Sequence, residues 1–417
     1  MSTAESGVSR PLGDRYDPFH EPQLSDPYPF FAEARAAAPV FYSPALRYWL
    51  VTRYRDVKEV MQNWKLFSAS NTLDTLKPLC AHALKALAEG GFSAVKALTN
   101  ADPPAHTRVR RLANVAFTPR RVAQMEPFIR TLAARFVEQR LTRGRADIVQ
   151  ELTWDLPALV IFNVIGVPEA DVPRVKASTG KRVLINWGYP SDEEQIRLAR
   201  DSAEFWRYAE AMVSDRTKSP RDDFTSDLVH ARAGDLPALT AQEVTTVLFS
   251  LLTAGHETTT SLLGNAFVWL LRHREAWQDI CRDPSLIPNA VEEVLRIDPS
   301  VFSWRRKTLQ AAEIGGVPVP AEANLLVLMG SANRDPEVFA EPERFDIRRG
   351  NAKDHLAFGH GPHVCLGAPL ARLEARVVIE ELARRLPSLR LVPGQKMSYL
   401  PNTSFRGPRS LQVEWDA

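Results

Sequence analysis

The chain has 417 residues, 45% of them hydrophobic, which is enough to fill a large core. Its 52 basic and 50 acidic residues leave a net charge of +2, too balanced to drive binding to nucleic acid or to an anionic membrane. Three cysteines without paired spacing argue against a disulfide framework and for a reducing compartment.

The N-terminus, Met1-Ser-Thr-Ala-Glu-Ser-Gly7, is polar and carries no apolar signal stretch. Residues 1–14 read as a loose tail and 15–417 as a single domain. Helical periodicity predicts helices over Pro29–Ala38, Tyr54–Gln62, Ala105–Ala116, Pro119–Thr142, Ile148–Leu156, Trp154–Val164, Asp192–Arg216, Ala241–Arg272, Arg274–Arg282, Leu286–Ile297 and Ala368–Leu386. Strand signals are short: Val40–Tyr42, Tyr48–Val51, Leu325–Leu328, Ser398–Leu400 and Leu411–Glu414. The most apolar segments, Leu156–Val167 and Val244–Gly255, fall short of the roughly 20 residues a bilayer requires. These features predict a mainly α class with small antiparallel β-sheets, no parallel βαβ series, no membrane contact and a cytoplasmic location.

Within the predicted helix Ala241–Arg272 the run Thr253-Ala254-Gly255-His256-Glu257-Thr258-Thr259-Thr260 breaks local rules. Glycine and β-branched threonines are poor helix formers, and a carboxylate interrupts an apolar span. Such violations mark functional positions. An acid followed by an alcohol can relay protons through ordered water, and a threonine hydroxyl can bond the carbonyl four residues back. His256 reads as a helix-face residue rather than a ligand.

Further on, Phe358-Gly-His-Gly361-Pro-His363-Val-Cys365-Leu-Gly367 sets one cysteine in a glycine-punctuated loop before the amphipathic stretch Ala368–Leu386. A thiolate there sits at a helix N-terminus, where backbone N–H groups and the helix dipole favour the anion. The glycines let backbone wrap closely around a flat ligand. A sulfur so held is suited to be the axial ligand of a haem iron. Cys80 and Cys281 have no such frame and read as inert.

The Cys365 string resembles the haem-binding signature of the cytochrome P450 family, Phe-x-x-Gly-x-Arg/His-x-Cys-x-Gly, with His363 at the Arg/His position. Ala254-Gly-x-Glu-Thr258 resembles the family's distal-helix motif. The resemblance implies the family's fold, with haem b between the long distal helix and the Cys-loop helix. It makes Glu257 the acid and Thr258 the alcohol, while Ala254 leaves room for the haem face. Phe358 and Gly367 frame Cys365. Asp102-Pro-Pro-Ala-His106-Thr-Arg-Val-Arg110 puts His106 and Arg110 at i and i+4 on one helix face, a spacing that grips a carboxylate. With Arg306 and His363 they are expected to hold the haem propionates. Glu293-Val-Leu-Arg296, followed by Ala332–Phe339 and Glu341–Asp346, resembles the segment that builds a buried ion cluster, here expected as Glu293–Arg296–Arg344.

Family-like motifs run from Asp17-Pro-Phe19 to Phe405-Arg-Gly407. Segments such as Val40–Trp49, Asn186-Trp187-Gly188, Trp304-Arg-Arg306 and Tyr399–Gly407 resemble the haem domain of the self-sufficient bacterial subfamily, in which an FMN and 2Fe–2S reductase follows. That pattern implies O2, NAD(P)H and either a fused reductase or a separate ferredoxin and reductase as partners. The implied activity is monooxygenation, by hydroxylation or O-dealkylation. A peroxide-driven peroxygenase is the alternative, disfavoured by the Glu257–Thr258 pair. Leu73, Phe92, Trp187, Ser250, Phe302 and Phe405 are the pocket candidates, mostly apolar, which suits a small or medium hydrophobic or aromatic substrate.

Overall fold

Two capping boxes set where the longest helices begin. The Thr240 side chain accepts from the Glu243 N–H (3.2 Å) and the Glu243 side chain accepts from the Thr240 N–H (2.9 Å), opening a 32-residue helix over Ala241–Arg272. Ser191 and Glu194 do the same for Asp192–Lys218. The computed structural model describes residues 10–177 and 183–416. Most of the expected tail therefore lies outside the described residues. Its end does not behave as a tail, because Leu12–Arg15 forms a helical turn with Gly13 buried. A Cβ on Gly13 would sit 1.9 Å from the Tyr42 carbonyl oxygen.

The helices Tyr54–Gln62, Ala105–Ala116 and Arg274–Arg282 match the periodicity to the residue. The stretch Pro119–Thr142 instead splits into Pro119–Gln124 and Glu126–Arg140. Pro127 supplies no N–H donor just after the break. Around Trp154 the chain makes a π-helical turn, Val149–Thr153, and then the helix Asp155–Ile165, which ends at Gly166 in the left-handed region (φ 83°). The helix Ala81–Glu89 and the strand Trp304–Thr308 are absent from the expected elements, although Ala81–Glu89 is rich in good helix formers. Ser398–Leu400 is irregular rather than a strand.

The largest sheet orders Val40–Ser43, Tyr48–Val51, Asn324–Val327, Trp304–Thr308 and Phe67–Ser68. Its pairs are antiparallel except Tyr48–Val51 with Asn324–Val327. A second sheet joins Arg145–Asp147, Gln412–Glu414 and Arg390–Leu391. The main core surrounds the long helix, where Val247, Leu248, Leu263 and Phe267 pack with Leu156, Phe162 and Val377. Ala241–Arg272 packs against both Asp155–Ile165 and Ala368–Arg385, so the long helix and the helix after Cys365 share one interior. Among the described residues no helix is long and apolar enough to cross a membrane.

Candidate active site

The Cys365 loop is shaped by two glycines in the left-handed region, Gly359 (φ 74°) and Gly361 (φ 72°). A Cβ on Gly361 would lie 2.9 Å from both the Gln62 Cα and the Met61 oxygen, so only glycine lets this loop rest on the helix Tyr54–Gln62. The Cys365 N–H donates to the Phe358 carbonyl (2.9 Å), closing the loop on itself. The Arg372 guanidinium lies 4.6 Å from the centre of the Phe358 ring, and Glu292 grips it through two oxygens (2.7 and 2.9 Å). Cys365 is exposed. Desolvation by the protein around the sulfur nevertheless pushes its thiol pKa up. The Gly367 and Ala368 N–H groups and the Arg110 and Arg372 cations pull against that shift. A bound metal deprotonates a coordinating thiol outright.

Above this loop the fold gathers four basic groups. His106 and Arg110 come from Ala105–Ala116, Arg306 from Trp304–Thr308 and His363 from the loop itself. Arg306 is 2% exposed, and burial lowers its pKa to about 10. Arg110 donates to the Val364 carbonyl (2.6 Å). Burial, helped by the neighbouring cations, lowers the His106 pKa to about 4 and the His363 pKa to about 3. Among the described residues both His106 ring nitrogens and His363 Nε2 are buried without a hydrogen-bond partner. Among the described residues no carboxylate is ion-paired with any of the four. The buried Arg306 and half-buried Arg110 are cations without a carboxylate partner among the described residues, which is costly, and the two neutral imidazoles add hydrogen-bonding nitrogens beside them. Their donors match a group that brings two carboxylates, as haem does.

On the long helix, Thr258 Oγ1 donates to the Ala254 carbonyl (2.6 Å). Ala254 is exposed midway along that helix, whereas His256 is fully buried. His256 Nε2 meets the Trp154 carbonyl at 2.7 Å, and Thr260 donates to the Thr153 carbonyl (2.9 Å). Two residues along an α-helix turn the face by about 200°. Ala254 and Thr258 therefore lie opposite His256 and Thr260, which brace the helix on the π-helical turn. Burial lowers the His256 pKa to about 4, leaving it neutral. A Cβ on Gly255 would lie 2.6 Å from Ile161, so glycine admits the close approach of Asp155–Ile165. Glu257 is half-buried, one position before Thr258.

The pocket candidates divide. Ser250 stands one turn before Ala254, and its hydroxyl donates to the Thr246 carbonyl (2.9 Å). Phe92 packs edge-on against Trp206 and Phe249, each ring 5.2 Å away. Trp187 stacks on Trp304 (5.7 Å) and meets Phe405 edge-on (4.9 Å). The Leu73 carbonyl accepts from the Asn186 amide. Phe302 does not join them. It is 5% exposed and stacks on Phe31 (6.3 Å) inside an aromatic core with Tyr16, Tyr28 and Phe41.

The ion cluster also departs from expectation in one member. Arg296 donates to Glu293 at 2.7 and 2.8 Å, and both are fully buried. The third partner is Arg349, whose Nε meets Glu293 at 3.2 Å and whose side chain is 9% exposed. Arg344 is 61% exposed and pairs with Glu341 (3.2 Å). Its contribution is its backbone carbonyl, which accepts from Arg296 (3.1 Å) and Arg349 (2.9 Å). The only signal for Arg349 in the sequence was a second arginine beside Arg348, ahead of Gly350.

Cys365 ahead of the helix Ala368–Arg385, with His106, Arg110, Arg306 and His363 beside it, is a set of residues suited to holding haem. The Cytochrome P450 profile matches residues 202–283 and 285–397. "Cytochrome P450 monooxygenase PikC" of Streptomyces venezuelae is 36% identical over 94% of this chain and 91% of its own length. The solved structure of cytochrome P450 CREJ in complex with (4-ethylphenyl) dihydrogen phosphate superposes with a TM-score of 0.92 at 41% identity, covering 97% of this chain and 100% of that one. An intact type IV self-sufficient cytochrome P450 monooxygenase superposes with a TM-score of 0.94 at 41% identity, over 97% of this chain and 53% of its own. The chain belongs to the cytochrome P450 family, and haem b is its cofactor.

Proposed function

We propose that residues 15–417 act as one haem-thiolate monooxygenase domain. It inserts one oxygen atom of O2 into a C–H bond of a small or medium hydrophobic or aromatic substrate, giving hydroxylation, or dealkylation where the carbon bears an ether oxygen. The observation that carries this reading is the buried His106 and His363 nitrogens without partners among the described residues, gathered with Arg110 and Arg306 beside the exposed Cys365.

In this reading the Cys365 sulfur would hold the haem iron, and Arg110, Arg306, His106 and His363 would hold the propionates. Phe358, Gly367 and Ala254 shape the space for the ring. Bound haem supplies oxygen activation, and a thiolate ligand favours O–O cleavage. The chain's part is proton management. Thr258 Oγ1 carries a proton that rests on the Ala254 carbonyl (2.6 Å) and can be redirected by rotation about χ1. Glu257, on the same turn, replenishes it from the solvent side. Glu293, Arg296 and Arg349 hold the chain that leads into the cysteine loop.

Leu73, Phe92, Ser250, Trp187 and Phe405 line the substrate space. The aromatic ligand in the CREJ complex supports a small aromatic substrate, and the hydroxylase and epoxidase names of other relatives support oxygen insertion. Electrons come from NAD(P)H through an FMN and 2Fe–2S reductase or a ferredoxin system. The likeness to self-sufficient enzymes supports the former. The reducing setting that suits three unpaired cysteines is the cytoplasm.

The test is spectroscopic. Reduced protein treated with CO should show the red-shifted Soret band of thiolate ligation, and Cys365→Ala should lose it. Product formed with NAD(P)H and a reductase should carry 18O from 18O2. A Cys365→Ala protein that keeps the band, or product labelled only from water, overturns the reading.

A further inference from the structure

We propose that Arg305 is a positioning and specificity-determining residue, a clasp that shuts the roof of the substrate space. This rests on the reading above for what lies beneath the roof. Arg305 is 1% exposed. Neighbouring residues of a strand point to opposite faces, so Arg305 is directed away from Arg306. Its guanidinium forms no ion pair among the described residues; Asp74, Tyr48 and Tyr189 act on it only through space. A buried cation without an anion is retained only where its donors hold something.

What it holds is two pieces of main chain. One Nη donates to the Asp74 carbonyl (2.5 Å) and the other to the Asn186 carbonyl (2.8 Å). The rigid fork of arginine suits two acceptors at a fixed spacing, which a lysine cannot match. Behind the fork the guanidinium lies over the rings of Tyr48 (5.6 Å) and Trp187 (5.9 Å).

Asn186 is the node. Its carbonyl also accepts from the Leu76 N–H (3.1 Å), so both lone pairs are used, and its side-chain amide donates back to the Leu73 carbonyl. The next carbonyl, that of Trp187, accepts from the Thr403 N–H (2.9 Å) and hydroxyl (3.3 Å). Arg305 thereby joins the segments around Leu73 and Trp187, and the Thr403 bonds to the Trp187 carbonyl carry the tie on to Phe405. A roof held this way admits small substrates and resists spreading for large ones.

The experiment uses the haem-loaded full chain with Arg305→Met, Arg305→Lys and Asn186→Ala, each with thermal melting and the CO spectrum as folding controls. Loss of two hydrogen bonds from a charged donor should raise amide exchange of residues 71–80 and 183–190 by about tenfold or more in Arg305→Met, with Ala368–Arg385 unchanged. The dissociation constant for imidazole should stay within about twofold, while a bulky azole such as clotrimazole should bind at least about fivefold faster. Arg305→Lys keeps the charge and loses the fork, so it should resemble Arg305→Met. Asn186→Ala removes only the tie to Leu73 and should loosen residues 71–80 alone. Should Arg305→Met fail to fold, Arg305→Lys and Asn186→Ala carry the same readouts. Unchanged exchange in both segments, a loosening spread evenly over the chain, or a parent-like Arg305→Lys overturns the clasp. Exchange requires no turnover, so failure of the clasp leaves the monooxygenase reading standing, and a missing thiolate band in the parent sinks that reading and the clasp's role toward substrate while leaving the exchange result intact.

Discussion

The imidazoles of His106 and His363 lie 4.1 Å apart, centroid to centroid, at an angle of 39°. They come from different ends of the chain, and both are desolvated to the point of neutrality. With Arg110 and Arg306 they form a buried basic cluster that only an anion can complete. Two opposite effects follow for Arg306, depending on whether haem is bound.

In haem-free protein, Arg306→Met removes an uncompensated buried cation, so stability to urea should rise or stay level. In haem-loaded protein the same change removes a charge-assisted bond. Transfer of haem to an excess of apomyoglobin should then speed up by about tenfold or more. Equal haem loss from parent and variant would remove Arg306 from the propionate role.

The ion cluster separates two arginines five positions apart. Removing Arg296 takes away the main partner of the buried Glu293 carboxylate and should cost on the order of 3–5 kcal/mol, with loss of haem incorporation; removing Arg349 leaves the Arg296 pair in place and should cost roughly 1.5–3 kcal/mol. Arg344→Ala, at a 61% exposed position, should change stability by less than about 0.5 kcal/mol. Equal sensitivity at Arg344 and Arg349 in chemical denaturation would contradict the arrangement.

His256 makes stability depend on pH. Its folded pKa is near 4 because burial disfavours the cation, against an unfolded value of about 6.5. The unfolded chain binds the proton first, so the contribution is whole above the unfolded value and is lost as pH falls toward the folded one. Between pH 7 and pH 5 the parent should lose roughly 2 kcal/mol more than His256→Gln. Parallel urea curves for the two proteins at both pH values would show that His256 is not buried neutral.

Thr258→Ala should keep the thiolate spectrum and bind substrate within about threefold of the parent, because a single hydroxyl contributes little to an apolar pocket. It should divert most reducing equivalents to peroxide, read as hydrogen peroxide formed per NAD(P)H consumed. Parent-like coupling would take the proton relay away from Thr258.

The sequence by itself determined the parts whose physics is local. Helical periodicity marked Ala241–Arg272 to the residue, and glycine spacing marked the cysteine loop. The acid–alcohol step broke helix propensity visibly enough to be found. Tertiary structure alone decided which distant groups meet. Arg349, not Arg344, reaches Glu293, because the irregular chain between Ala332 and Gly350 takes its direction from packing and not from any period. Phe302 turns into the aromatic core beside Phe31, although its place in the chain suggested the pocket. Arg305 looked like one more charge in a basic run, and its burial became visible only once three separate segments closed over it. Short-range preferences are written in consecutive residues, whereas the burial of a charge or a ring depends on elements hundreds of residues away, which the fold brings together to exclude water.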